Sequence, residues 1–159
     1  MNQMNQFADR QSFEGGPAAA VGQAGVVTLK RVGARPLSFQ GTELCMAMSF
    51  TPGAPFWYEI NVFRTTDQRF VCAVRTFFAA DNEDDQVRAW EFESFEQVMA
   101  HLEGYDPADD IRVDLDPSAP MTLPELAANA LALRARAAEA RRQFATIVGE
   151  ILYELETGD

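Results

Sequence analysis

The sequence predicts an α+β protein with an antiparallel sheet of four to five strands, followed by a short helix and a long C-terminal helix. Three observations predict this fold class. Apolar and polar residues alternate in several short runs between residues 25 and 93, as half-buried strands require. A helix capping box follows at Ser94. Apolar residues then recur with a 3.5-residue period from Leu126 to Ile151, which is typical of a helix with an apolar seam.

A chain of 159 residues is expected to form one domain. We expect a flexible tail over residues 1–24, a body over 25–118 and a long amphipathic helix over 119–159. The tail is polar except for Phe7 and Phe13, and Gly15–Pro17 breaks any helix. It lacks the positively charged N-terminal region and the long apolar run of a signal peptide, so no signal peptide is expected. No run approaches the length of a membrane span, which predicts a cytoplasmic protein without membrane contact.

Five runs have the apolar alternation of strands. They cover residues 26–32, 37–50, 56–63, 70–78 and 87–93. Gly41 interrupts the second run and predicts a bulge or a sharp bend there. The third and fourth runs form the clearest hairpin, and both of its faces are apolar. This hairpin is therefore expected to be central, with one face covered by a helix.

Two capping boxes mark the helix starts. Ser94 with Gln97 begins a short helix that ends by Gly104, and Thr122 with Glu125 begins a long helix that runs to about Glu156. Between them, apolar residues at 111, 113 and 115 alternate with charged ones, as a short edge strand could.

The long helix is expected to reach beyond the sheet. About 35 helical residues span about 52 Å, whereas a five-stranded sheet is about 20–25 Å across. An overhang with an apolar seam needs a partner helix, from a second copy in a coiled-coil dimer or from another protein. The alternative is a helix that packs only on its own sheet. The seam residues are Leu133, Phe144, Ile147, Ile151, Leu152 and Leu155, and the C-terminal half is expected to be buried against the sheet or a dimer mate.

The charge of the chain is strongly acidic. The net charge of −11 opposes broad contact with nucleic acid. Twelve of the thirteen basic residues are arginine, which with the alanine-rich helix is typical of a GC-rich bacterial genome. One basic concentration stands out on the helix and predicts either an anion-binding patch or pairing with the acids of residues 106–116. It consists of Arg134, Arg136, Arg141 and Arg142.

No pattern for catalysis is present in the sequence. The single histidine, His101, is expected to be a packing or surface residue. Cys45 and Cys72 lie in apolar runs and are expected to be two buried thiols of a reduced protein, with a disulfide between neighbouring strands as the alternative. Neither the acid clusters nor the glycines have the spacing of a metal or phosphate site. We therefore expect no catalytic residue, no metal and no cofactor, and the protein is more consistent with a non-enzyme than an enzyme.

The leading hypothesis is a non-enzymatic protein-interaction or accessory module that self-associates or binds a partner through its C-terminal helix. One alternative is a single-stranded nucleic-acid binder that uses strand aromatics and arginines, namely Trp57, Arg64, Arg75, Arg88 and Trp90. With its consecutive antiparallel strands and following helix, the chain resembles, in layout alone, the curved-sheet single-stranded-DNA binders of the PUR and whirly families. A further alternative is an acidic inhibitor that mimics nucleic acid through residues 81–85 and 106–116.

Overall fold

Five strands form one antiparallel sheet whose spatial order follows the chain order. The computed structural model describes residues 22–113, 116 and 118–158. The strands are β1 Ala24–Leu29, β2 Leu37–Met48, β3 Phe56–Thr65, β4 Phe70–Phe78 and β5 Gln86–Phe92. They are followed by α1 Phe95–Gly104, a 3₁₀ turn Pro107–Asp110 and α2 Leu123–Thr157. The predicted α+β class is confirmed. The predicted tail lies outside the described residues up to residue 21, and Ala24 already belongs to β1.

The hairpin of β3 and β4 forms the centre of the sheet, as the sequence predicts. Its register runs from Phe56 opposite Phe78 to Arg64 opposite Phe70. β2 pairs with β3 and shifts its register between Glu43 and Cys45, close to the predicted irregularity. Gly41 is required by the close approach of the two strands, because a Cβ atom there would lie 2.5 Å from the carbonyl oxygen of Arg64.

The sheet curls until its two edge strands approach each other. Just after β1, the N–H of Val32 donates a hydrogen bond of 2.9 Å to the carbonyl of Val87 in β5. The Arg31 guanidinium donates to the carbonyl of Ala89 at 3.4 Å. The curled end encloses a small apolar cluster made of Leu29, Phe63, Val71, Ala73 and Ala89. We call the face of the sheet that carries this cluster the outer face.

The opposite face of the sheet carries the main core. Here α1, the 3₁₀ turn and the C-terminal half of α2 pack on the strands. The strands contribute side chains such as Tyr58, Ile60 and Val74, and α2 contributes the buried residues Ala140, Phe144, Ile147, Val148 and Ile151. We call this the helix-covered face.

Both predicted helix starts are confirmed. Ser94 Oγ accepts from the N–H of Gln97 at 3.3 Å, although the Gln97 side chain bonds to the N–H of Glu93 rather than to that of Ser94. At α2, Thr122 and Glu125 form the full reciprocal capping box. Residues 111–113 form no strand, and residue 115 lies outside the described residues. Ile111 instead follows the 3₁₀ turn and packs against the main core.

Candidate interaction surface

The N-terminal part of α2 extends beyond the sheet, as its length predicts. We call residues 123–135 the overhang, which is about 20 Å long at about 1.5 Å per residue. Every residue from 123 to 132 is exposed. Three of them are leucines, with Leu123 82% exposed, Leu126 50% exposed and Leu131 67% exposed. Exposed apolar side chains grouped on one helical segment are a feature of interaction surfaces.

The exposed leucines do not all lie on one side of the overhang. Leu126 belongs to the apolar seam that continues through Ala130 and Leu133 to Phe144, where the same stripe faces the sheet. Leu131 lies about 140° around the helix from Leu126, at about 100° per residue. The seam therefore leaves the protein's own sheet and continues, uncovered in the described structure, along the overhang.

A cleft of about 580 Å³ opens where the overhang leaves the body. It is lined by Pro55, Phe56, Ala79, Ala80, Glu83, Arg136 and Glu139. The Arg136 guanidinium lies over the ring of Phe56 at 5.4 Å and over that of Phe78 at 5.8 Å. It also approaches Glu83 at 3.6 Å. The cleft thus combines an apolar floor with two carboxylates on its walls. Sequence analysis missed it because its segments lie far apart in the chain.

The C-terminal seam residues are used inside the protein itself. Phe144, Ile147 and Ile151 are between 0% and 3% exposed and pack on the helix-covered face. Leu152 and Leu155 are partly buried against the same core. Of the predicted seam, only Leu133 lies in the overhang, and it is half-buried.

The four arginines of the predicted anion patch mostly bind acids of the same chain. Arg141 forms two hydrogen bonds with Asp106, at 3.0 and 2.7 Å, as the pairing alternative predicts. Arg142 binds Glu139 at 2.9 and 2.6 Å, and this contact lowers the pKa of Glu139 to about 2. Arg136 binds Glu83, as described above. Arg134 is exposed and has no ion pair with the described residues.

The aromatics and arginines of the predicted nucleic-acid surface do not form one surface. Trp57 and Arg75 lie on the outer face, where Trp57 is only 6% exposed. Trp90 and Arg88 point to the helix-covered face, where Trp90 packs against His101 with ring centroids 4.3 Å apart. Arg88 binds Asp110 at 2.7 Å. Arg64 is exposed at the end of β3 and donates to Gln68.

Burial shifts the pKa values of several titratable groups in the described core. Burial lowers the pKa of His101, which packs among aromatic rings. Tyr105 donates to Asp110, and burial raises the Tyr105 pKa. Cys45 and Cys72 are buried free thiols, as predicted, and burial raises the pKa of each to about 12. Within the described residues no group of histidine, cysteine or acidic side chains could hold a metal ion.

Comparisons with known proteins add no relative. No protein family model, no curated protein and no solved structure shows significant similarity to this chain. In the part of the chain that the structure describes, neither helix has the length and hydropathy needed to cross a membrane. The geometry of the surface itself therefore carries the functional argument.

Proposed function

We propose that this protein is a non-enzymatic interaction module that self-associates by pairing the overhangs of two copies. The observation that carries this proposal is the exposure of Leu123 and Leu126, at 82% and 50%, on a helix whose other half buries Phe144, Ile147 and Ile151 against the sheet. In water, covering an exposed leucine stripe with a second apolar surface lowers the free energy of the system. A helix that presents such a stripe beyond its own sheet is suited to a helical partner.

The pattern of side-chain sizes along the overhang favours a second copy as the partner. Leucine and alanine alternate along the seam at Leu126, Ala130, Leu133 and Ala137. If two overhangs run antiparallel, each leucine of one copy faces an alanine of the other. Leu133 then lies opposite Ala130 of the second copy, and Leu126 opposite Ala137. Large residues packed over small ones let two helices approach closely.

Steric constraints favour the antiparallel direction. Beyond Ala137 the seam is covered by the protein's own sheet. A parallel pair would bring both sheets to the same end of the helix pair and into the same space. An antiparallel pair in this register overlaps from Leu123 to about Ala140 and places the two bodies at opposite ends. The resulting interface is two-fold symmetric, which is the commonest arrangement of protein dimers.

The cleft at the base of the overhang fits the start of the second helix. In the antiparallel register, Leu123 of the second copy lies at the level of Ala140, beside the cleft. The cleft offers an apolar floor, including Phe56, and the carboxylates of Glu83 and Glu139. The apolar floor of the cleft and the exposed Leu123 therefore both support a second copy as the occupant.

Sedimentation or light scattering over a range of protein concentrations tests the proposal. An interface confined to two short helix segments and two clefts is small, so the dimer should dissociate on dilution to about micromolar concentration. Leu126→Asp with Leu133→Asp should shift the protein to monomer at all concentrations. Leu131→Asp is the control, because Leu131 is an exposed leucine of the same overhang that lies off the seam.

Two outcomes would contradict the proposal. Unmodified protein that stays monomeric at high concentration excludes self-association. A dimer that Leu131→Asp weakens as much as the seam variant excludes the seam as its interface. Circular dichroism should show an unchanged fold in both variants, since the changed residues lie outside the main core.

The two alternative functions draw less support from the geometry. The arginines and tryptophans of the nucleic-acid hypothesis are divided between opposite faces of the sheet. Several acids of the inhibitor hypothesis, including Glu83, Asp106 and Asp110, bind arginines of the same chain.

A further inference from the structure

A pocket of about 370 Å³ opens where β3 turns into β4. It lies at the opposite end of this hairpin from the cleft, because Phe56 pairs with Phe78 at one end and Arg64 pairs with Phe70 at the other. One guanidinium and several hydroxyls line it, and we call it the turn pocket. Its lining residues are Gly41, Thr42, Leu44, Arg64, Thr65, Thr66 and Gln68.

Gln68 has an unusual backbone conformation at the edge of the turn pocket. It is the last residue of the turn over residues 66–68, and its φ is +69°. Among the described residues other than glycine, no other has a positive φ. This position of a hairpin turn favours glycine, because a side chain is strained in the left-handed region. A glutamine here indicates a role for its side chain.

The Gln68 side chain holds the guanidinium of Arg64. Arg64 Nη2 donates a hydrogen bond to Gln68 Oε1. Arg64 makes no second hydrogen bond and no ion pair with the described residues, so most of its N–H groups are left for another acceptor. Gln68 therefore fixes the position of a cation at the pocket and uses little of its donor capacity.

Two hydroxyls accompany this guanidinium in the turn pocket. Thr42 lies directly opposite Arg64 in the register of β2 and β3, so the two side chains share a face of the sheet. Thr66 begins the turn. Neither hydroxyl forms a hydrogen bond with the part of the chain that the structure describes, although both line the pocket. The pocket thus brings together charged and neutral donors from two separate segments.

The acids that adjoin the turn pocket in the chain bind neutral donors. Thr65 Oγ1, in a side chain that is only 6% exposed, donates to Asp67. Asn61 Nδ2 donates to Glu43 Oε1 at 2.7 Å. Neither carboxylate therefore neutralises Arg64 through an ion pair.

We propose that the turn pocket binds the phosphate group of a small molecule, with Arg64, Thr42 and Thr66 as donors and Gln68 as a positioning residue. A guanidinium and hydroxyls around one pocket suit an anion with several acceptor oxygens. The net charge of −11 opposes a long polyanion, so a single phosphate group fits better than a nucleic-acid strand. The site is independent of the pairing of overhangs, because it lies away from the cleft.

Titration of the full chain with inorganic phosphate at constant ionic strength tests the proposal, with the NMR amide shifts of Thr42, Thr66 and Gln68 as the readout. We expect a dissociation constant of about 1–10 mM. Arg64→Ala should raise it at least about tenfold, because the charged donor is lost. Arg134→Ala is the matched control, since it removes the same charge from an exposed position on the overhang and should leave binding unchanged.

Gln68→Gly separates a positioning role from a structural one. Glycine relieves the backbone strain, so the melting temperature should rise by about 2–4 °C. Phosphate should nevertheless bind about two- to fivefold more weakly, because Arg64 loses the partner that holds it in place. A residue that only shapes the turn would give the higher melting temperature without any loss of binding, and that result would overturn the role of Gln68.

Three further results would overturn the phosphate site. The first is the absence of saturable amide shifts at the turn pocket. The second is equal weakening by Arg64→Ala and Arg134→Ala, which would show that only the net charge matters. The third is a single-stranded oligonucleotide that binds at the same amides more tightly per phosphate than inorganic phosphate does, which would assign the pocket to nucleic acid. Unchanged amide shifts elsewhere in each variant would confirm that the fold is intact.

Discussion

The side chains of Gln143 and Ser49 form a hydrogen bond across 94 positions of sequence, in which Ser49 Oγ donates to Gln143 Oε1 at 2.8 Å. Gln143 is 4% exposed, and its Nε2 donates to the carbonyl of Phe56 at 3.3 Å. Ser49 Oγ also accepts from the N–H of Tyr58 at 2.9 Å. One buried amide therefore joins α2 to β3 and to the residue that follows β2.

Replacing this amide should destabilise the fold. Gln143→Met leaves the Phe56 carbonyl and the Ser49 hydroxyl without their buried partner, and should cost about 1–3 kcal/mol in the free energy of unfolding. Urea denaturation measures the loss. Thr146→Met, at an exposed position of the same helix, should change stability by less than about 0.5 kcal/mol. Equal losses in the two variants would show that the buried network contributes nothing specific.

Truncating a side chain to alanine should change the free energy of unfolding by very different amounts in the two halves of α2. Ile147 is 1% exposed, so Ile147→Ala should lower the free energy of unfolding by about 2–5 kcal/mol. Leu131 is 67% exposed, so Leu131→Ala should change it by no more than about 0.5 kcal/mol. Thermal and urea unfolding provide the comparison. A large loss at Leu131 would mean that this side of the overhang is covered in solution.

Replacing glycine by alanine should have opposite effects on stability at Gly41 and Gly149, because the two positions differ in the space available for a Cβ atom. At Gly41 a Cβ atom would lie 2.5 Å from the Arg64 carbonyl oxygen and 3.1 Å from the Thr65 Cα, so Gly41→Ala must move β2 from β3. We expect a loss of about 1–3 kcal/mol in unfolding free energy. At Gly149, in α2, nothing lies within 4 Å of a Cβ, and Gly149→Ala should stabilise by about 0.5–1 kcal/mol. A tolerated Gly41→Ala would contradict the close approach of the strands.

The contact of Glu139 with Arg142 and Gln143 predicts a pH dependence of stability. These hydrogen bonds lower the folded-state pKa from 4.5 to about 2. The contribution of a carboxyl with a lowered pKa is fully present above its unfolded-state pKa and is lost as pH falls through the folded-state value. The melting temperature of the unmodified protein should therefore exceed that of Glu139→Gln at pH 6, and the difference should shrink between pH 4.5 and about 2. A difference that is constant over this range would contradict the ionic origin of the contact.

Disulfide trapping tests the direction of the proposed helix pair. Ala130→Cys and Leu133→Cys should form a mixed disulfide when the two single variants are combined, in excess over either self-linked species. The native thiols should not compete, because Cys45 is 3% exposed and Cys72 is fully buried. An excess of self-linked dimers of each variant would indicate a parallel helix pair. That result would contradict the antiparallel register but would still support self-association. The absence of any trapped dimer, in a protein that is dimeric by light scattering, would place the interface elsewhere.

Local chemistry made most of the fold predictable from the sequence. The capping residues at Ser94 and Thr122 determine where the helices begin, because a helix start has free N–H groups that need local acceptors. The alternation over β3 and β4 likewise fixes those strands. Within the described residues 111–113 no strand forms, because the 3₁₀ turn, capped by Asp106, directs Ile111 into the core. A residue pattern alone does not contain that tertiary contact.

The functional surface was harder to predict because an apolar seam does not identify its partner. The stripe from Leu126 to Ile151 has one period along its whole length, yet its C-terminal half covers the protein's own sheet. The alternation of apolar residues also cannot show which face of the sheet a side chain occupies where both faces of a strand are buried. Trp57 and Trp90 were expected on one surface, but their registers place them on opposite faces. The pairing of Arg141 with Asp106 could be predicted only as one of two alternatives.

The contact between Val32 and Val87 has a consequence for aggregation. A sheet edge offers free N–H and C=O groups to which strands of other molecules can pair. Here the chain leaving β1 and the strand β5 occupy part of each other's edge. Local opening at this contact would therefore release two pairing edges at once, one at each end of the strand order. Conditions that loosen it should favour fibrous or amorphous assembly before the main core unfolds.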